Sequence, residues 1–284
     1  ILLREKARII SSIKESSTKP DYIGERELMK MLYRSHPYGF NEMGEIETLN
    51  KLQREDLLTF YRSYYVAGNA VIAIIGDVTR LEAAAIAERL TENLSSGGLK
   101  AEIPAVPIPV AETKRIPHPA TQSHIQSAYP GLRRSDPDYF PLLVGNHILG
   151  GGGFVSRLME EVRQKRGLAY SVYSFFAPYK EQGPFQIGLQ TKKEQSEEAL
   201  ALTQKVLKEF VASGPTEEEL LAAKQNIIGG FPLRIDSNSK ILSYLSMIGF
   251  YNLPLTYLTD YLVAVEAVTT EQIRQAFQRR IQPD

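Results

Sequence analysis

A short segment of the chain holds the residues whose types and spacing could do chemistry. Four consecutive glycines, from Gly150 to Gly153, run directly into a charge-rich amphipathic segment. Arg163 and Tyr170 then lie seven positions apart in RQKRGLAY. A guanidinium and a phenol both donate hydrogen bonds, so both side chains could bind a hydrogen-bond acceptor. The spacing alone favours a structural interpretation, with Arg163 in a surface ion pair and Tyr170 as a strand aromatic.

The glycine run has a functional and a structural interpretation. A phosphate cradle is weakly supported, because no Lys-Ser pair follows the glycines and no parallel strand leads into them. Close backbone packing, or mobility of a segment that meets a substrate, is the better expectation. Because a mobile glycine segment could meet a substrate, we predict four substrate-binding positions: Gly150, Gly151, Gly152 and Gly153.

Metal, thiol and polyanion chemistry find little support in the composition. The absence of cysteine excludes disulfides, zinc–thiolate sites and cysteine nucleophiles. Lys plus Arg equals Asp plus Glu at 33 each, so no global field favours nucleic acid. No apolar run approaches the roughly 18 residues of a membrane span. The histidines have no ligand spacing: His36, His118, His124 and His147.

The first third of the chain reads as helices and one strand. Apolar periodicity predicts an opening helix in ILLREKARIISSI and a second helix that Asp21 caps and that runs to about Tyr33. QREDLLTFYRSYY and TRLEAAAIAERLTENL read as further helices, and NAVIAIIGDV between them as a buried strand. The glycines and prolines of residues 96–119 then predict an extended linker between residues 1–95 and a second domain, 120–284.

Beyond the linker the pattern predicts an α+β domain. SHIQSAYPG reads as a strand, YFPLLVGNHILGG and the segment after it as helices, and AYSVYSFFAPY and GPFQIGLQT as a strand pair. Helices finish the chain: SEEALALTQKVLKEFVAS, TEEELLAAKQNIIGGF and a group that ends in TTEQIRQAFQRRI. We therefore predict helices packed on one face of a largely antiparallel sheet.

An internal repeat relates the two ends of the chain. A shift of 216 positions places LQREDLLTFYRSYY, from Leu52, on VTTEQIRQAFQRRI, from Val268, without a gap. The repeat predicts two similar domains. It also predicts a partner of the opening motif upstream of Ile1 and a last strand beyond Asp284, so the chain is expected to be truncated at its N-terminus.

These segments resemble the pitrilysin/insulysin family of zinc metallopeptidases, which includes the mitochondrial processing peptidase subunits. HPYGFNEMGEIETLNKLQREDLLTFYRSYYVAGNAVIAIIGDV is similar to the end of the family's first domain, and LGGGGFVSRLMEEVRQKRGLAYSVYS to its second-domain signature. The resemblance implies two α+β domains that close as a clamshell around an extended peptide.

The resemblance also implies where a metal site would lie. Family catalysis uses an inverted zinc motif, His-x-x-Glu-His, with a later glutamate as a further ligand. This sequence contains no His-x-x-Glu-His. The opening helix matches the family helix that supplies the later glutamate, with Glu5 at the preceding acidic position but Ser12 at the ligand position. A serine hydroxyl is a far poorer zinc ligand than a carboxylate, so no bound cofactor is expected in this chain.

In the family's non-metal half, an arginine and a tyrosine with the spacing of Arg163 and Tyr170 reach the substrate backbone near the scissile bond. The resemblance therefore implies a subunit that supplies these two groups to a partner's zinc site. That partner is a zinc-bearing family subunit, in a heterodimer, or a second copy of this chain.

Two alternatives stay open at this point: a complete zinc endopeptidase whose metal motif lies upstream, and a non-catalytic scaffold or peptide-binding homologue. The zinc content of the full-length protein distinguishes a complete peptidase from a metal-free subunit. Peptide binding by the isolated chain tests the scaffold alternative. The sequence leaves the compartment open, although family habit and the absent cysteine favour a bacterial periplasm.

Overall fold

The computed structural model describes residues 1–98 and 101–283. Within these ranges the chain forms eleven α-helices and a three-stranded sheet. The helices are α1 Leu2–Ser16, α2 Pro20–Tyr33, α3 Ile46–Lys51, α4 Arg54–Tyr64, α5 Arg80–Thr91, α6 Tyr139–Asn146, α7 Ser196–Ser213, α8 Glu217–Gly230, α9 Asn238–Tyr251, α10 Tyr257–Ala267 and α11 Thr270–Arg280. The strands are β1 Gln122–Pro130, β2 Ser171–Phe176 and β3 Pro184–Lys192.

The sheet is antiparallel throughout, in the order β1-β3-β2. Ile125 of β1 and Val172 of β2 both pair with Leu189 of the central strand, so the three side chains share one face. Because successive side chains of a strand alternate between the two faces, Phe185 and Ile187 lie on the same face as Leu189. Both are buried, as the predicted strand pair required.

Helices α6, α7 and α11 cover the apolar face. Phe277 of α11 is completely buried between sheet and helices, with its ring centroid 6.3 Å from that of Phe185 and 4.8 Å from that of Phe210 in α7. A Cβ on Gly145 of α6 would lie 2.5 Å from the Phe277 ring, so glycine permits the close approach of α6. The predicted α+β class is confirmed.

The opposite face of the sheet is polar and is covered in part by α2, from the first third of the chain. Gln186 of β3 donates from Nε2 to Oε1 of Glu25 at 3.1 Å. Gln126 of β1 donates from Nε2 to the carbonyl of Asp21 at 3.3 Å. The first helices and the later sheet are therefore in direct contact.

The repeat recurs in the helix boundaries. Helix α4 spans residues 54–64 and α11 spans 270–280, which differ by 216 at both ends. Capping boxes begin both helices at corresponding positions, Gln53 with Asp56 and Thr269 with Gln272. The environments differ, because Tyr61 is 51% exposed whereas its counterpart Phe277 is fully buried. Superposition of the two segments stays a prediction.

The strand predicted in NAVIAIIGDV is wrong for the described part of the chain. Residues 70–75 form neither helix nor strand, and Val71 is 55% exposed. A strand requires a ladder of hydrogen bonds to a neighbour, and no described residue provides one here. Val71 packs instead over Gly249 of α9, where an added Cβ would lie 2.4 Å from its Cγ1.

Residues 101–118 form neither helix nor strand. His36 Nε2 lies 2.9 Å from the carbonyl of Pro104, and ion pairs join Lys114 to Glu27 and Arg115 to Glu197. Leu99 and Lys100 of the predicted linker lie outside the described residues, and the division into domains stays a prediction. None of the helices in residues 1–98 and 101–283 has the length and apolar character to cross a bilayer.

Candidate functional site

The glycine run forms a tightly packed turn of π-helix, His147–Gly151, directly after α6. A Cβ on Gly150 would lie 2.4 Å from Ser174 Oγ and 2.6 Å from the Ser174 backbone nitrogen in β2. A Cβ on Gly151 would lie 2.6 Å from Nδ2 of Asn146. Side chains are therefore excluded at these positions by close approach to the sheet and to the preceding turn.

The last two glycines turn the chain towards the charged helix. A Cβ on Gly152 would lie 2.6 Å from the carbonyl oxygen of His147, and Gly153 has φ +67°, where residues with a side chain are strained. Ser156 then donates from Oγ to the Gly153 carbonyl at 2.7 Å. No ligand contact of the four glycines follows from this packing, so their role in substrate binding stays a prediction.

Arg163 lies on a second π-helix, Met159–Gln164, whose buried side chains are Met159 and Val162. Its guanidinium carbon lies 4.9 Å from the ring centroid of Phe154, an arrangement typical of a cation–π contact. Gln164 Nε2 donates to the Phe154 carbonyl at 2.6 Å, which ties the turn after the glycines to the helix. π-Helices are rare and occur frequently at functional sites.

The arginines of this segment differ in their partners. Arg157 donates to both carboxylate oxygens of Glu219, and Arg166 pairs with Glu161 at 2.7 Å. Hydrogen bonds from Lys165 and then Arg166 hold the pKa of Glu161 below its usual value. Within the described part of the chain, Arg163 has no ion pair or hydrogen bond from its guanidinium, so that its five N–H donors are free.

Gly167 connects Arg163 to Tyr170. It has φ +63°, its N–H donates to the carbonyl of Arg163 at 2.9 Å, and the chain then leaves the helix towards β2. The Tyr170 N–H donates to the carbonyl of Gln190 in β3 at 2.8 Å, which fixes the backbone beside the sheet. Tyr170 is 49% exposed, and its hydroxyl has no hydrogen-bond partner among the described residues.

The site therefore presents two side chains with free donors, one at the end of a helix and one at the start of an edge strand, joined by one tight turn. A guanidinium and a phenol in this state can donate to carbonyl oxygens without breaking an existing bond. Phe154, which packs on Arg163, is not among the residues predicted from the sequence. Its position directly after the glycine run, in an exposed turn, was the available signal.

The candidate metal residues do not come together. The carboxylate of Glu5 accepts hydrogen bonds from Arg8 and Arg4, which hold its pKa below the usual value. Ser12, at the predicted ligand position, is exposed. No three His, Asp or Glu side chains in residues 1–98 and 101–283 are arranged to hold a metal ion. The donors present in the described chain thus do not fit a zinc site.

The histidines are separate as well. His36 accepts from the Tyr38 N–H at 3.2 Å, and His118 contacts the Thr18 carbonyl. Burial, with a smaller contribution from Arg234, lowers the pKa of His147. Within residues 1–98 and 101–283, none of these histidines belongs to a group of three side chains that could hold a metal ion.

The chain belongs to the family described as the peptidase M16 inactive domain, whose model matches residues 51–227. The predicted membership of this peptidase family is confirmed, and the match is to the domain without peptidase activity. A crystal structure of a peptidase M16 inactive domain from Pseudomonas fluorescens is 40% identical, covers 100% of this chain and 68% of that one, and superposes with a TM-score of 0.96.

Two curated relatives have different names. An uncharacterized zinc protease YmxG of Bacillus subtilis is 28% identical over 84% of this chain and 58% of its own length. A non-peptidase homolog YmxG of Helicobacter pylori is 27% identical over 96% of this chain and 63% of its own length. The chain spans about three-fifths of both relatives.

Proposed function

We propose that this chain is the non-metal part of a heteromeric peptidase, and that Arg163 and Tyr170 donate hydrogen bonds to carbonyl oxygens of an extended peptide. The family supports a peptidase-like subunit without its own activity, and the name of the Helicobacter pylori relative, a non-peptidase homolog, agrees with this assignment. Under this proposal the metal belongs to a partner, another subunit of the family.

The observation that carries the proposal is the contrast among three arginines on one segment. Arg157 and Arg166 both have carboxylate partners, whereas Arg163 has none in the described residues. An arginine that serves packing or solubility gains by pairing with a nearby carboxylate. Glu160 and Glu161 are close in sequence, yet Lys165 and Arg166 engage them and leave Arg163 available.

The donors would hold and polarise the peptide carbonyl, and their effect would be greatest where negative charge develops on its oxygen. Removal of one such donor typically costs about 2.7–4 kcal/mol, or roughly 100- to 1000-fold in rate. We expect Tyr170→Phe and Arg163→Ala each to slow peptide cleavage by the assembled complex to this extent. Arg163→Lys should also fail, because an ammonium does not reproduce the planar fork of donors.

The experiment reconstitutes each variant with the zinc-bearing partner and measures turnover of one unstructured peptide, the amount of complex and its zinc content. Arg166→Ala is the matched control, because Arg166 is a surface arginine on the same segment whose partner among the described residues is Glu161. Arg157→Ala serves less well, since its ion pair with Glu219 is more buried. Full turnover by the Tyr170→Phe and Arg163→Ala complexes would leave the chain as a scaffold and refute the proposal.

A further inference from the structure

An open cavity of about 450 Å³ lies beside the glycine run, between α6 and β2. We call it the Arg134 cavity. Gly150 and Gly151 line one part of it, and Tyr139, Leu143 and Phe175 line others. Among the described residues that form its wall, Arg134 has the only charged side chain. The cavity is therefore mostly apolar, with Asn146 and Ser174 as polar members of the wall and one cationic group.

Arg134 is held in place but is not neutralised. Its backbone N–H donates to the carbonyl of Tyr179 at 2.8 Å, and its guanidinium carbon lies 4.9 Å from the ring centroid of Tyr139. Two more rings, of Tyr251 and Tyr257, have centroids 5.9 Å away. Aromatic faces stabilise a cation without removing its capacity to bind an anion.

The guanidinium retains free donors. Nη2 contacts Met247 Sδ and the hydroxyl of Tyr257 at 3.3 Å. Nε is buried and has no hydrogen-bond partner in the described part of the chain, and Nη1 has none there either. Because Nε is enclosed by protein, Nη1 is the unpaired donor that an acceptor in the cavity could reach.

Other arginines nearby in sequence or space have carboxylate partners. Arg133 pairs with Glu181, and Arg280 pairs with Asp136 and Asp138. The neighbouring acidic side chains are thus engaged elsewhere, and no acidic side chain of the described residues pairs with Arg134. Carboxylate is the group that matches the planar fork of a guanidinium.

We propose that the Arg134 cavity binds a carboxylate attached to an apolar group, with the guanidinium of Arg134 on the carboxylate and the aromatic and leucine side chains on the apolar part. The inference rests on the proposed function only in taking that ligand to belong to a peptide. The carboxylate is then either the C-terminus after an apolar residue or an acidic side chain.

The experiment measures equilibrium binding to the isolated chain by calorimetry or NMR titration, without a partner subunit. N-acetyl-leucine supplies a C-terminal carboxylate, its amide is the neutral control, and N-acetylglutamic acid α-amide supplies a side-chain carboxylate. We expect one of the two acids to bind and the leucine amide to bind on the order of 30-fold more weakly or not at all, since one partner of a buried charge pair is missing. The acid that binds more tightly identifies the source of the carboxylate.

Arg134→Met keeps much of the side-chain volume and should abolish the preference for acid over amide. Arg133→Met is the matched control. It removes the same charge at the neighbouring position, where the arginine is already paired with Glu181. Equal binding of acid and amide to the wild-type protein, no binding of either acid, or an unchanged preference in Arg134→Met would overturn the proposal. The wild-type comparison holds even if the variant fails to fold. The proposed function is tested separately by turnover of the reconstituted complex, so the two can fail independently.

Discussion

Replacement of Gly150 by alanine tests whether close packing requires the glycine run. The added Cβ would lie 2.4 Å from Ser174 Oγ, 2.6 Å from the Ser174 backbone nitrogen and 2.8 Å from Leu158 Cδ1. Overpacking of this kind costs about 1–3 kcal/mol, and a rigid backbone atom among the contacts favours the upper end. Alanine recovers about 0.5–1 kcal/mol through its helix propensity. We expect a net loss of about 2 kcal/mol in the free energy of unfolding, from the difference of these two effects.

Urea denaturation followed by circular dichroism measures the loss. Gly229→Ala is the matched control, because Gly229 is an exposed helical glycine whose added Cβ would meet nothing within 4 Å. That variant should be more stable than wild type by about 0.4–1 kcal/mol. The double variant Gly150→Ala, Ser174→Ala should recover only part of the loss, since the backbone nitrogen remains. If Gly150→Ala proves as stable as Gly229→Ala, the contact with β2 is not the reason for the glycine.

Two further predictions concern ion pairs. Arg157→Met should lower the free energy of unfolding by about 1–3 kcal/mol, because it leaves Glu219 partly buried and without its bidentate partner. The midpoint of urea unfolding measures this loss, and an unchanged midpoint would contradict the prediction. Partial burial raises the pKa of Asp138, but its bonds to Arg279 and Arg280 outweigh that and hold it below the usual value. The contribution of Asp138 to the free energy of unfolding should be complete above about pH 4 and be lost as the pH falls through the lower pKa of the folded state. In the same urea assay, the free energy of unfolding of Asp138→Asn should change less between about pH 5 and pH 2.

Local patterns predicted most of the elements of the second part of the chain. GPFQIGLQT was predicted as a strand and TTEQIRQAFQRRI as the end of a helical group, and the structure has β3 and α11 at these segments. These features depend on neighbours in sequence. The contact of α2 with the polar face of the sheet depends on residues more than 100 positions apart, and no local pattern carries that information.

The candidate site divides in the same way. Arg163 and Tyr170 follow from a motif. That no carboxylate of the described residues pairs with Arg163 depends on the directions of the Glu160 and Glu161 side chains, which the helix geometry decides. The error in NAVIAIIGDV has a related cause, since strand propensity is local whereas strand pairing is not. Arg134 was missed because an arginine in GLRRSD has no sequence feature that distinguishes it from its paired neighbour Arg133.

The contacts of α2 with the sheet bear on how the polypeptide responds to cleavage. Gln186 with Glu25, Gln126 with Asp21, and the hydroxyl of Tyr33 on the carbonyl of Gln182 at 3.0 Å join the two parts of the chain without using residues 101–118. A protease cut in that exposed segment would therefore sever the covalent connection and leave a noncovalent pair of fragments. Two fragments expressed separately and divided within residues 101–118 are therefore expected to reassemble through the same helix and sheet.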